Sequence, residues 1–263
     1  MQLLGVDERA LLHVAGGCCL CFLVVSTGLF DGVATEVGYG HYAEEVVPWL
    51  PAFVAMPFNC FINIGYILLG IFWLGRWSKT QGQKDVRKMY MKDVFALMAI
   101  VYGPVQWARL WTQSHRAAVL DQWFTLPIFA WVPVWCKSVL EAWRPATVLL
   151  MEGLSLASYS LCLLHSRGFE VALGCHVLGA FLIALRVQRQ YGDATSRAYM
   201  GVTLMYCLGF IALKLLDHWL TQWLLFQRLT GHFWSKVCDV MQFHCAFLFL
   251  EHVEQRKLSR IQT

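Results

Sequence analysis

The segment from Gly231 to His252, GHFWSKVCDVMQFHCAFLFLEH, is long and apolar enough to cross a bilayer, yet it carries Lys236, Asp239, Gln242 and His244. An ionisable side chain inside a spanning helix costs about 2.5 kcal/mol or more, so it has a partner and a reason. Four other apolar runs bring matching groups. Asn59, Asn63 and Tyr66 are spaced i, i+4, i+7 and share one helical face. Tyr102, Gln106, Arg109 and Gln113 make a second stripe. Asp121 opens a further run in RAAVLDQWFTLP, and Lys214, Asp217 and His218 close another.

Such groups can hold the polar head of an amphiphile, or hydrogen-bond one another between helices for about 0.6 kcal/mol each. Lys214 with Asp217, and Lys236 with Asp239, could also satisfy each other as i, i+3 pairs. His244 lies about 140° round an ideal helix from Asp239, so these two do not make a ligand pair. Five helices delivering polar groups to one depth point to a polar cavity rather than to isolated contacts.

The helices that must carry these groups fall at about 10–30, 51–75, 93–113, 121–140, 146–165, 170–187, 199–219 and 232–252. The chain has 263 residues, 58% hydrophobic and only 14% charged, with a mean hydropathy of +0.51. A soluble domain would be nearer 25% charged. The expectation is an all-α polytopic bundle of about eight helices, one N-terminal helix added to a core of seven. It is one membrane domain over 1–263, ending in a short basic tail at 253–263. The first nine residues are mixed in charge and no small-residue cleavage site follows, so the first helix is expected to be retained. Pro57, Pro104, Pro127 and Pro133 could kink their helices.

Lys and Arg fall fifteen on one side and four on the other when alternate loops are counted. This bias puts both termini in the cytoplasm and the polar stripes in the lumenal half. The 76–92 loop, and Arg256, Lys257 and Arg260, then face anionic lipid. Glu152 and His176 stand alone, and Glu251 and His252 are expected to be solvated.

Composition also excludes. A net charge of +4 gives no case for nucleic acid. The ten cysteines sit in or beside apolar runs without a metal-type CxxC pair, so they are read as free thiols, with no metal and no cofactor expected. No Asn-x-Ser/Thr acceptor occurs. The expected surroundings are a lipid bilayer, with a lipid as the possible bound molecule. An endomembrane such as the Golgi or endoplasmic reticulum is the expected location, with the plasma membrane as the alternative.

The runs YGPVQWARLWTQSHRAAVLDQWFTLPIFAW and LTGHFWSKVCDVMQFHCAFLFL closely resemble the vertebrate transmembrane protein 187 family, as do FDGVATEVGYGHYAEE and LPAFVAMPFNCFIN. That resemblance covers essentially the whole chain and carries no activity with it. A weaker resemblance is to the seven-helix superfamily of alkaline ceramidases and progestin/adipoQ receptors. NCFINIGYILLG is similar to its Asn-rich helix, with Asn63 matching and Ile62 where the superfamily has Ser. Asp121 is similar to its helix-opening Asp, and His244 to the first His of its terminal pair. The superfamily's Ser, its earlier His and its last His fall on Gln106, Leu110 and Leu248.

A catalytic zinc of that kind needs three imidazoles and an open position for water. Leucine ligates nothing, so the resemblance implies a polar site that has lost its zinc chemistry. The expected function is therefore non-catalytic binding of a lipid or small amphiphile. The alternatives are a scaffold or trafficking protein with purely structural polar contacts, and a lipid hydrolase with an altered metal site.

Overall fold

The computed structural model describes residues 7–76, 86–141 and 144–262. Residues 77–85 of the basic loop, 142–143, the first six residues and Thr263 lie outside the described residues. Among those described, the secondary structure is helical throughout, with no strand. Among the described residues, seven helices are long and apolar enough to cross a membrane: Glu8–Ser26, Pro57–Arg76, Arg87–Thr112, His115–Leu140, Pro145–Leu164, Gly168–Tyr191 and Ala194–Leu215. The eighth expected segment does form a helix of 32 residues, Gly231–Gln262, but its polar residues leave it outside that set.

In chain order the helices are α1 (Glu8–Ser26), α2 (Pro57–Phe61), α3 (Asn63–Arg76), α4 (Val86–Thr112), α5 (His115–Leu140) and α6 (Pro145–Ser158). They continue as α7 (Leu161–Leu164), α8 (Gly168–Tyr191), α9 (Ala194–Leu215), α10 (Asp217–Leu220) and α11 (Gly231–Gln262). Several boundaries differ from the sequence reading. Pro57 stands at the first position of α2 rather than at a kink, where its missing N–H is no loss. The 51–75 window is broken at Ile62. Helix α5 opens at His115, so Asp121 lies inside it. Asp217 and His218 belong to the short α10. Between α4 and α5, Gln113 takes a left-handed φ of 48° and its side chain donates to Leu110 O at 2.8 Å, a cap that stops α4.

The described residues divide into two compact units. Unit one takes Met1–Asp121 and Cys207–Val240. Its centre is α3 against α4, at a separation only glycine allows. A Cβ on Gly70 would lie 2.5 Å from Ala96 O, and one on Gly103 would lie 2.7 Å from Asn63 O. Helix α1 starts on Asp7, whose carboxylate accepts from Arg9 N at 2.9 Å, and the Arg9 guanidinium beside it holds that carboxyl below the usual range. It is fastened to α4 by Asp7 N–H donating to Asp93 at 2.9 Å and by His13 beside the Tyr90 hydroxyl at 2.6 Å.

Unit two takes Gln122–Tyr206 and Met241–Thr263. Trp123 stacks on Tyr159 with centroids 5.3 Å apart, and the Tyr159 hydroxyl donates to Gln122 at 2.9 Å. Asp193 caps α9 through Ser196 N at 2.9 Å and accepts from Arg256 at 2.7 Å. His252 Nε2 lies 3.0 Å from the same carboxylate. The Ser196 N–H, with His252, holds Asp193 well below the usual carboxylate range.

Arg260 donates to Gln190 O at 2.7 Å, and Lys257 donates to Val139 O. The tail is thus corrected at Glu251 and His252. His252 is paired and Glu251 is buried rather than solvated; the three basic residues also reach backbone carbonyls and Asp193.

Candidate binding site

Helix α2 begins without a capping side chain of its own. Its first free amides are taken by Glu44, from the preceding loop, whose two carboxylate oxygens accept from Phe58 N at 2.9 Å and Asn59 N at 2.8 Å. Burial raises the Glu44 carboxyl above its usual range, against the pull of those two amides. Beside it, burial pushes the Tyr42 hydroxyl up to about 12. Tyr42, Met56, Cys60 and Leu110 make an apolar cluster, with Tyr39 and Trp107 packed against it.

The break at Ile62 lets two asparagines act on one spot. Asn63 Nδ2 donates to Asn59 O at 3.0 Å, and Lys236 Nζ donates to Asn63 Oδ1 at 2.9 Å and reaches Asn59 O at 3.5 Å. One turn further along each helix, the Tyr66 hydroxyl donates to Asp239 at 2.6 Å. Tyr66 meets Tyr102 edge to face at 5.3 Å, and Gln106 lies against its hydroxyl. The expected pairing of Lys236 with Asp239 is replaced by bonds from each to a different residue of the Asn59–Tyr66 stripe.

The second expected local pair is replaced as well. Asp217 is buried and accepts from Ala43 N at 2.9 Å and His232 N at 2.6 Å, while Lys214 is half-buried and lies 5.8 Å over the Phe210 ring. Arg109 donates to Asp121 at 2.6 Å and to Glu36 O at 3.0 Å. Arg109, Asp121, Lys214, Lys236 and Asp239 are near enough for their charges to act on one another.

Of the sequence candidates, Asn59, Asn63, Gln106, Arg109, Asp121, Lys214, Asp217, Lys236 and Asp239 all belong to unit one. His218 is exposed, and His244 falls in unit two. Glu44, His41 and Tyr42 were missed. Their only signal was the pair of acids in HYAEEVVPWLPAF just ahead of a Pro-started helix. His41 lies 2.6 Å from Glu36, and Tyr42 meets His232 edge to face at 4.7 Å.

The cluster is not fully satisfied. Asn59 is 0% exposed, and among the described residues both atoms of its carboxamide lack a partner; so does Gln106 Oε1. Native interiors rarely leave buried polar atoms in this state. Among the described residues, no group of three or more His, Cys, Asp or Glu is placed to hold a metal ion. A cavity of about 20 Å³, room for one water, lies in unit two beside Val148 and Met151, with Lys137, Ser138, Glu141 and Arg144 in its lining.

The TMEM187 protein family matches residues 10–251. The chain is similar to transmembrane protein 187 of Homo sapiens, 58% identical over 244 residues, covering 93% of this chain and 92% of that protein. It is also similar to transmembrane protein 187 of Bos taurus, 55% identical over 244 residues, covering 92% of this chain and 95% of that one. No solved structure matches.

Proposed function

Starting from a chain that belongs to the transmembrane protein 187 family, we propose a non-catalytic multi-pass membrane protein that holds the polar head of a lipid or small amphiphile at the unit-one cluster. One observation carries this reading: the Asn59 carboxamide, fully enclosed and, among the described residues, unbonded on both atoms. Leaving a buried donor or acceptor unmade costs about 1–3 kcal/mol. A head group offering both a donor and an acceptor would meet both needs beside the Lys236 ammonium. The non-catalytic part is supported by Leu110 and Leu248, which stand where the resembling hydrolases have imidazoles. The excess of Lys and Arg on one side supports cytoplasmic termini, with the cluster toward the lumen of the Golgi or endoplasmic reticulum.

Native mass spectrometry of the purified full chain tests the binding reading. Wild type should retain a lipid that Asn59→Leu loses, while the apo variant melts no lower, since leucine removes the unmet atoms. Equal retention by both, or no retained lipid, would overturn it. A second reading, a scaffold with structural polar contacts, is favoured by the satisfied bonds of Asn63, Tyr66, Asp217 and Asp239.

A further inference from the structure

A further unmet polar group lies in unit two, at Glu152, which stands alone in the sequence. Glu152 shares a buried face of α6 with Val148 and Ser155, and Tyr159 continues that face at the helix end. It is 6% exposed, its Oε1 has no partner, and no hydrogen bond or ion pair is made by its carboxyl among the described residues. No neighbouring charge acts on it among those residues either. The surrounding segment, Pro145–Leu164, is long and apolar enough to span a membrane. A carboxylate with no counterion at that depth is costly, whereas the neutral acid is far less so.

Ser155 follows Glu152 by three residues, on the same helical face. Its Oγ lies 2.9 Å from His176 Nε2, and His176 Nδ1 lies 2.7 Å from Ala172 O. A backbone carbonyl only accepts, so Nδ1 carries the ring proton and Nε2 accepts from the serine hydroxyl. The Ser155 oxygen keeps lone pairs with which to accept from Glu152. Polar groups near this face are Ser155 of α6, Tyr159 just past its end, His176 of α8, and Gln122 of α5, which is taken by the Tyr159 hydroxyl; Lys137, Glu141 and Arg144 line the cavity at Val148, one turn from Glu152.

We propose that Glu152, Ser155 and His176 form a proton-binding site within the spanning part of unit two, with the proton resident on the Glu152 carboxyl. The serine hydroxyl, one turn from the carboxyl on the same helical face, contacts the imidazole at Nε2, the ring nitrogen left to accept. This site is independent of the amphiphile reading and shares no residue with it.

A hydrophobic carbodiimide tests it. Dicyclohexylcarbodiimide takes the proton of a carboxylic acid onto nitrogen while the carboxyl oxygen bonds the central carbon. An oxygen-to-nitrogen acyl shift then leaves a stable N-acylurea that contains the whole reagent, with no leaving group. Treatment of the full chain in lipid nanodiscs should place this adduct on Glu152, with labelling that declines as pH rises and is lost in Glu152→Gln. The midpoint of that decline should shift in His176→Gln, and Glu152→Gln should melt no lower than wild type, since an amide replaces a neutral acid of the same shape. Absence of the adduct overturns the proposal. So does a lower melting temperature of Glu152→Gln, which would mean an ionised carboxylate with a cationic partner. A pH profile unchanged by His176→Gln removes the imidazole and overturns the three-residue site.

Discussion

The Tyr66 hydroxyl donates to Asp239 at 2.6 Å, while Lys236, one turn earlier on α11, donates to Asn63 at 2.9 Å; each bond spans 173 residues of sequence. Two charges that could have neutralised each other on one helix are both spent on holding the start of α11 against the Asn59–Tyr66 stripe. Hydrogen bonds with one charged partner are about twice as strong as neutral ones, and these two carry direction as well.

Double-mutant cycles on melting should therefore find coupling between Lys236 and Asn63, and between Asp239 and Tyr66, of about 0.6–1.7 kcal/mol each. Coupling between Lys236 and Asp239 should be smaller than either. Recovery of stability in a Lys236→Leu, Asp239→Leu double variant, beyond that of the two cross-helix cycles, would restore the local pair in place of these bonds.

Glu44→Ala removes the acceptor for the Phe58 and Asn59 amides and should destabilise the protein by about 1 kcal/mol, as for loss of a helix cap. Glu44→Gln keeps one acceptor and should cost less. The same melting assay reads both, and an unchanged Glu44→Ala would mean that water caps α2 equally well.

Burial, with the Arg109 guanidinium nearby, holds the His41 imidazole below its ordinary value of 6.5, against the pull of Glu36. The folded chain then takes up this proton less readily than the unfolded chain. The contribution of His41 is present above 6.5 and is lost as pH falls through the lowered folded value. Wild type should lose melting temperature over this range, and His41→Gln should lose less. Tyr42, His232, Lys214 and Asp217 surround the same ring, so parallel slopes would assign the loss to one of them.

Much of this was legible before any coordinates. The i, i+4, i+7 spacing of Asn59, Asn63 and Tyr66 specifies a shared face, and the cost of charge in lipid singles out Lys236 and Asp239. Partner choice was not legible, because i, i+3 spacing on one helix permits a local pair as readily as a distant one. Glu44 escaped notice because a loop acid has no period to betray it. The tail misled for a related reason: Arg256 and Arg260 read the same whether they meet lipid phosphate or a carbonyl such as Gln190 O. Glu152 looked solitary because its neighbour Ser155 meets its partner, His176, on another helix.

Gly70→Val should be poorly tolerated, since its Cβ would meet the Ala96 carbonyl at 2.5 Å and backbone must move. Overpacking of this kind costs about 1–3 kcal/mol. At Gly65 the nearest atom to an added Cβ is a Val240 methyl at 3.4 Å, so Gly65→Ala should leave melting nearly unchanged. Equal losses at both positions would contradict the close approach of α3 and α4.

The two oxygens of Asp217 hold the amides of Ala43 and His232, which belong to the loop after α1 and to the first turn of α11. Neither amide can open to solvent without loosening the carboxylate that also restrains the other. In deuterated water the two sites should therefore exchange in step, and a disturbance reaching the loop would be felt at the helix five residues before Lys236's neighbour Val237.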